Sequence, residues 1–242
     1  MKKGSYQTLA VVGIFAVAMG FLESVVVIYL RKLYYPGGFQ FPLVPTIESW
    51  VLNMEWAREF FTLIMLVCIG LLAGKTRYEK FAYFIYSFAV WDIFYYIWLK
   101  VILNWPPSFL TWDLLFLIPW PWAGPVLAPL IISFAMIFLA GSILVKSDQG
   151  KKVKITKKEW MLLVLGSILI LYTFLYDYGN LIISRGFLPN FFSLASRDEF
   201  QQIAGTYIPS SYPWWLFILG EVLILLAIFS FLRKKNGRKL LR

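Results

Sequence analysis

Six stretches of this sequence are each long and apolar enough to cross a lipid bilayer. They are residues 1–30, 50–73, 79–103, 123–145, 159–183 and 213–232. About 20 helical residues cover the roughly 30 Å of bilayer hydrocarbon, where a helix satisfies all of its own backbone hydrogen bonds. We therefore predict an all-α, polytopic integral membrane protein that forms a single transmembrane domain over residues 1–242.

The composition agrees with a membrane protein and excludes several kinds of chemistry. Hydrophobic residues make up 60% of the chain and charged residues 15%, too few charges for the surface of a soluble domain of this size. The chain has no histidine, which excludes His-dependent nucleophilic catalysis and the usual His-containing zinc sites. The single cysteine, Cys68, excludes a disulfide framework and is interpreted as a buried spacer within a helix.

The first apolar run begins like a signal peptide. Lys2 and Lys3 precede it, and Ala16-Val17-Ala18 resembles a cleavage site. The apolar sequence nevertheless continues to Leu30, beyond the usual length of a signal sequence, so we expect an uncleaved first spanning helix.

The basic residues predict the orientation of the chain. With both termini in the cytoplasm, 17 Lys and Arg lie in inner segments and 5 at outer ends and loops. This bias follows the positive-inside rule and predicts a multi-pass protein of the cell membrane with cytoplasmic N- and C-termini. Nucleic acid is not an expected partner, because the basic residues lie at membrane ends and form no patch interleaved with exposed aromatics.

Two outer segments carry further local signals. Prolines at 119, 121, 125 and 129 would break a continuous helix, so we predict a short half-helix or re-entrant segment over 109–118, before the fourth span. This segment is expected either to cover the acidic site described below or to lie on the membrane surface. Ser196 and Glu199 form a Ser-x-x-Glu capping box, which predicts a short helix over 197–204.

Ionisable residues inside the apolar runs are the main functional signal, because a charge at membrane depth is costly unless it is paired or faces a cavity. Three acids precede a basic residue by eight positions, which corresponds to about 12 Å of helix. These pairs are Glu23 and Arg31, Asp92 and Lys100, and Asp177 and Arg185.

The remaining intramembrane acids fall at a similar predicted depth. Glu221 is seven residues beyond Trp214, and Glu55 and Glu59 are five and nine residues beyond Trp50. We therefore expect six acids to converge on one another, on Arg58 and on water. Because one arginine cannot neutralise six carboxylates, the acids would be partly protonated or would bind a hard cation.

The candidate site follows from these residues and from the polar aromatics beside them, which can donate hydrogen bonds to the acids. The candidate catalytic residues are Glu55, Glu59, Asp92 and Asp177. The candidate substrate-binding residues are Glu23, Arg58, Trp91, Tyr95, Tyr96, Asp113, Tyr176 and Glu221. No resident metal site or cofactor is assigned.

Three functions are compatible with such a site. The first is an outward-facing pocket that binds or processes a lipid or isoprenoid-like amphiphile, with acids as proton donors and acceptors. The second is a proton- or cation-coupled transporter, and the third is a non-catalytic subunit of a membrane complex. Few ionisable residues occupy the inner halves of the predicted helices, which favours the one-sided pocket. The expected partners are membrane lipid and a small amphiphilic or cationic ligand, and the sequence points to no particular protein partner.

Overall fold

The computed structural model describes residues 3–44, 47–151, 153–187, 189, 198–209 and 211–234. These residues form seven helices and one two-stranded sheet, and six of the helices are long and apolar enough to cross a membrane. The elements are α1 (Lys3–Tyr34), α2 (Ser49–Ala73), α3 (Arg77–Leu103), β1 (Trp112–Phe116), β2 (Trp122–Pro125), α4 (Leu127–Asp148), α5 (Lys157–Ser184), α6 (Asp198–Ala204) and α7 (Trp214–Arg233). The prediction of an all-α fold with six spanning helices is confirmed.

Contacts between helix ends define an inner and an outer end of the bundle. Ser5 near the start of α1 donates a hydrogen bond to Asp148 at the end of α4. Lys146 of α4 donates to the carbonyl oxygen of Phe231, close to the end of α7. The beginning of α1 and the ends of α4 and α7 therefore meet at one end, called the inner end below, and the β-hairpin lies at the opposite, outer end.

The spanning helices pack in two groups. Helix α3 packs against α1, α2 and α4, whereas the main partner of α5 is α7. Contacts of α4 with α7 and of β2 with α5 join the two groups. Side chains on α5 and α7 consequently have different neighbours from those on α1 and α2, which decides how the intramembrane acids are distributed.

Capping boxes begin two of the spanning helices. Thr76 accepts a hydrogen bond from the backbone N–H of Glu79, and the Glu79 carboxylate accepts one from the Thr76 N–H. Thr156 and Glu159 form the same arrangement at the start of α5. These reciprocal bonds satisfy backbone donors that a helix N-terminus otherwise leaves unpaired.

The outer segment before α4 is a β-hairpin, so the half-helix predicted over 109–118 is wrong, and the alternative of a re-entrant segment stays a prediction. Strands β1 and β2 pair antiparallel, with Asp113 opposite Gly124, and the register shifts between Leu114 and Phe116. Trp and Phe favour extended backbone, and the prolines that follow cannot donate to a helical ladder. Non-helical backbone at membrane depth is tolerated where protein or a water-filled cavity covers it, and Asp113 and Ala123 of the hairpin are buried.

The short helix near Phe200 is present as α6 (Asp198–Ala204). This confirms the helix predicted over 197–204, to within one residue at its beginning. The serine of the predicted capping box, Ser196, lies outside the described residues.

Two glycines allow α5 and α7 to cross at close range. A Cβ atom added to Gly166 would lie 2.6 Å from the carbonyl oxygen of Gly220, and one added to Gly220 would lie 2.8 Å from the Gly166 oxygen. Close backbone approach at small residues is a common basis of helix association in membranes.

We expect Gly166→Ala to destabilise the protein by about 1 to 3 kcal/mol, because the added methyl group must push the two helices apart. Gly141→Ala on α4 is the matched control, since a Cβ at that position meets no atom within 4 Å. Thermal unfolding in detergent measures both variants. Equal unfolding temperatures for Gly166→Ala and the unmodified protein would contradict the close crossing.

Candidate functional site

A cavity of about 180 Å³ lies at the outer end, between α1, α2, the hairpin and α6. Its wall is largely apolar and includes Val27, Leu30, Leu43, Val51, Leu52 and Leu117. Helices α1 and α2 both line it although each packs mainly against α3. The cavity therefore occupies the space that α1 and α2 leave between them.

Polar side chains are few in this cavity, and most of them belong to the predicted site. Glu55 and Glu59 of α2, Tyr95 of α3 and Asp113 of β1 line it, together with Arg31 of α1. An apolar wall with a small number of converging polar groups is the usual composition of a site for a small molecule.

Arg58 lies at the centre of an ion-pair triad beside this cavity. Its Nε and Nη2 donate to Glu55 Oε2 at 2.9 and 2.7 Å, and its Nη1 donates to Glu23 of α1. The predicted contact between Glu55 and Arg58, three residues apart on one helix, is confirmed. The triad contains two carboxylates and one guanidinium, so its full ionisation would leave an excess negative charge next to the cavity.

Glu59 connects α2 to the hairpin. Both of its carboxylate oxygens accept the backbone N–H of Leu117, at 2.8 and 3.1 Å. Leu117 immediately follows β1, so its N–H has no partner within the strand pair. The Glu59 side chain is buried and, through this bond, holds the hairpin against the middle of α2.

Arg31 and Asp113 form a second buried ion pair, which joins α1 to the hairpin. Arg31 Nη2 donates to Asp113 Oδ1 at 2.8 Å, and the two residues are 7% and 0% exposed. The guanidinium also lies over the ring of Trp105 at 3.8 Å and of Phe39 at 4.6 Å. Burial raises the pKa of the Asp113 carboxyl, and the Arg31 charge opposes that shift.

The tyrosines of α3 lie close to these ion pairs. Tyr95 lines the cavity within electrostatic reach of both the Arg31–Asp113 pair and the Glu23–Arg58 pair. Tyr96 is buried beside Asp113. The sequence placed both tyrosines beside Asp92, whereas their closest described acidic neighbour is Asp113. Tyr95 is the one that a cavity ligand would contact.

Asp92 and Trp91 occupy a different position, between α3 and α4. Asp92 Oδ2 accepts a hydrogen bond from Ser133 at 2.9 Å. The Trp91 ring is buried and its Nε1 has no hydrogen-bond partner among the described residues. Neither side chain lines the outer cavity. Asp92 therefore joins α3 to α4 and is not part of the cavity wall.

The remaining candidates lie on α5 and α7, away from Arg58. Asp177 accepts a hydrogen bond from the Tyr207 hydroxyl at 2.6 Å, and Tyr176 is exposed beside Tyr172. Glu221 has one buried carboxylate oxygen without a hydrogen-bond partner in the described part of the chain. The expectation that six acids converge on Arg58 is therefore wrong, because α5 and α7 pack with each other and not against α1 and α2.

The residues that the structure describes contain no group of three or more His, Cys, Asp or Glu side chains arranged to hold a metal ion. Within that part of the chain, the carboxylates of the site are used in bonds to Arg58, Arg31 and the Leu117 N–H.

Sequence reasoning missed the role of Arg31 and of the loop after α1. Arg31 was used only as a marker of membrane depth, yet it is buried and paired with Asp113. A signal for this pair was present, because Asp113 is the sole charged residue between Asn104 and Trp122. A lone acid in such an apolar segment requires a cation, and the outer ends of the helices supply few.

Comparisons with protein-family models, with curated proteins and with solved structures gave no match. The fold and the site define the class of the protein, a six-span helical membrane protein with a cavity at its outer end. Its activity must be argued from the cavity itself.

Proposed function

We propose that this protein binds a membrane amphiphile in the outer cavity, with the apolar part against the wall and the polar end near Glu55. The observation that carries the proposal is the composition of the cavity, which joins apolar side chains of α1 and α2 to the carboxylate end of an ion-pair triad. A ligand with this division of polar and apolar surface would bury its tail and retain a hydrogen-bond partner.

The charge of the site favours a particular polar end. Glu23 and Glu55 share one arginine, and Glu59 is nearby. A cationic or hydrogen-bond-donating group is therefore favoured over an anion, since it would meet carboxylate oxygens. An isoprenoid-like or lipid amine or alcohol has this chemistry. If the ligand is processed and not only bound, Glu55 and Glu59 are the acids placed to exchange protons with it.

The proposed orientation places the cavity at the non-cytoplasmic side of the cell membrane. Inner segments carry most of the basic residues, which favours cytoplasmic termini. The cavity lies at the opposite end, so its ligand would come from the outer leaflet or from outside the cell. Access between α1 and α2 would let a lipid-soluble ligand enter directly from the bilayer.

The proposal is tested by identifying the amphiphiles that remain bound after purification. Leu52→Trp places a larger side chain into the cavity, whereas Met54→Trp adds the same ring at a position that is 57% exposed on the same helix. We expect mass spectrometry of the extracted ligands to show one amphiphile that is retained by Met54→Trp and reduced about tenfold or more by Leu52→Trp, since about 1.4 kcal/mol of lost affinity suffices. Equal retention by both variants would contradict a ligand in this cavity.

A proton-coupled carrier is the second candidate, and one feature of α3 favours it. Tyr83, Ser87, Trp91 and Tyr95 recur every four residues, so successive members are neighbours in a row that turns by about 120° around the helix. Tyr83 lines an inner cavity of about 570 Å³ and Tyr95 lines the outer one. Proton flux in liposomes that Asp92→Asn abolishes would favour the carrier over the binding pocket.

A further inference from the structure

A groove at the inner end combines positive charge with exposed aromatic surface. It measures about 670 Å³ and is formed by the start of α3, the start of α5 and the segment that precedes α5. Three cations line it, namely Arg77, Lys154 and Lys157. None of the described residues that line the groove is acidic, so its positive charge is not balanced by a carboxylate in this lining.

The nearest acids are already engaged elsewhere. Glu79 accepts hydrogen bonds from Ser147 and from the backbone N–H groups of Lys75 and Thr76. Glu159 accepts from Lys234, Ser230 and the Thr156 N–H. Within the described residues, the side chains that line the groove therefore form no ion pair with either acid.

The floor of the groove is aromatic. The rings of Phe81 and Trp160 lie 5.3 Å apart, and Trp160 is 36% exposed. Tyr78 adds a third ring beside the Arg77 guanidinium, at 4.9 Å. Tryptophan and tyrosine favour the level of lipid headgroups, where one side of the ring is apolar and the other is hydrated.

We propose that this groove binds the phosphate headgroup of an anionic phospholipid. The phosphate would lie between Arg77, Lys154 and Lys157, and the glycerol and the first part of the acyl chains would lie on Phe81 and Trp160. Basic pockets between spanning helices have this chemistry. A free phosphate ion would use the cations but not the aromatic floor, so the combination of both favours a lipid. The site is separate from the outer cavity and does not depend on the ligand proposed there.

The proposal is tested by native mass spectrometry of the purified protein with added phosphatidylglycerol or phosphatidylcholine. We expect a preference for phosphatidylglycerol, and we expect Arg77→Gln, Lys154→Gln and Lys157→Gln together to weaken its binding by about tenfold or more. The matched control replaces Lys3, Lys151 and Lys158, which are exposed, lie at the same end and do not line the groove. The control should retain the preference.

Other results would overturn the proposal. An equal loss in the control triple variant would mean that total charge and not the groove attracts the lipid. Both lipids carry a phosphate, so equal binding would mean that the groove does not recognise the net negative charge of the headgroup, which would contradict the proposal. Displacement of phosphatidylglycerol by millimolar inorganic phosphate would assign the groove to a free anion.

Trp160→Ala, which keeps all three cations, should weaken lipid binding, and unchanged binding in that variant would contradict the aromatic floor.

Discussion

Replacing Arg31 with methionine is expected to lower the free energy of unfolding by about 3 to 5 kcal/mol, because it leaves the Asp113 carboxylate buried without its cation. Asp113 is 0% exposed, so water cannot replace the lost partner. The substitution also removes the contacts of the guanidinium with Trp105 and Phe39. Chemical or thermal unfolding in a mild detergent measures the loss.

A double-mutant cycle separates the ion pair from these aromatic contacts. Arg31→Met with Asp113→Leu removes both charges, so the double variant should recover part of the stability that Arg31→Met loses. Lys32→Met is the control, since Lys32 is the exposed neighbour of Arg31. A double variant that is no more stable than Arg31→Met would show that the aromatic contacts, and not the pair, account for the loss.

The fold could be predicted because bilayer thickness constrains the sequence strongly. Each apolar run had to form a helix of spanning length, and the six helices begin and end within a few residues of the predicted limits. The hairpin could not be predicted in the same way. Proline positions excluded a continuous helix there, but the hairpin is bonded to residues distant in sequence, Arg31 and Glu59, which a local pattern does not show.

The site was predictable only where its residues are close in sequence. Glu55 and Arg58 are three residues apart, and helix geometry alone brings them together. The pairs Asp113 with Arg31 and Asp177 with Tyr207 depend on how the hairpin packs on α1 and how the segment after α6 packs on α5. The common depth that the sequence predicts for the acids does not bring them together, because the helices that carry them have different neighbours.

Arg58→Met is expected to have a second large effect, a loss of about 3 to 5 kcal/mol in the free energy of unfolding. Glu23 and Glu55 both depend on this guanidinium, and their side chains are 12% and 13% exposed. Arg58→Met with Glu23→Gln and Glu55→Gln should recover part of the loss, and Arg58→Lys should lose less than Arg58→Met because it keeps the charge but not the forked geometry. An unfolding midpoint unchanged in Arg58→Met would contradict the triad.

Glu55 belongs both to the triad and to the cavity, so Glu55→Gln distinguishes a structural from a ligand-binding role. The amide retains an oxygen that can accept from Arg58, and Glu23 still supplies a carboxylate for the guanidinium. We therefore expect a stability loss of about 1 to 2 kcal/mol, near that of one charged hydrogen bond. Binding of a cationic amphiphile should fall by about tenfold or more, because the excess negative charge is removed. A fall in stability without a fall in retention of the co-purified amphiphile would make Glu55 a structural residue only, and would remove the polar end from the proposed ligand site.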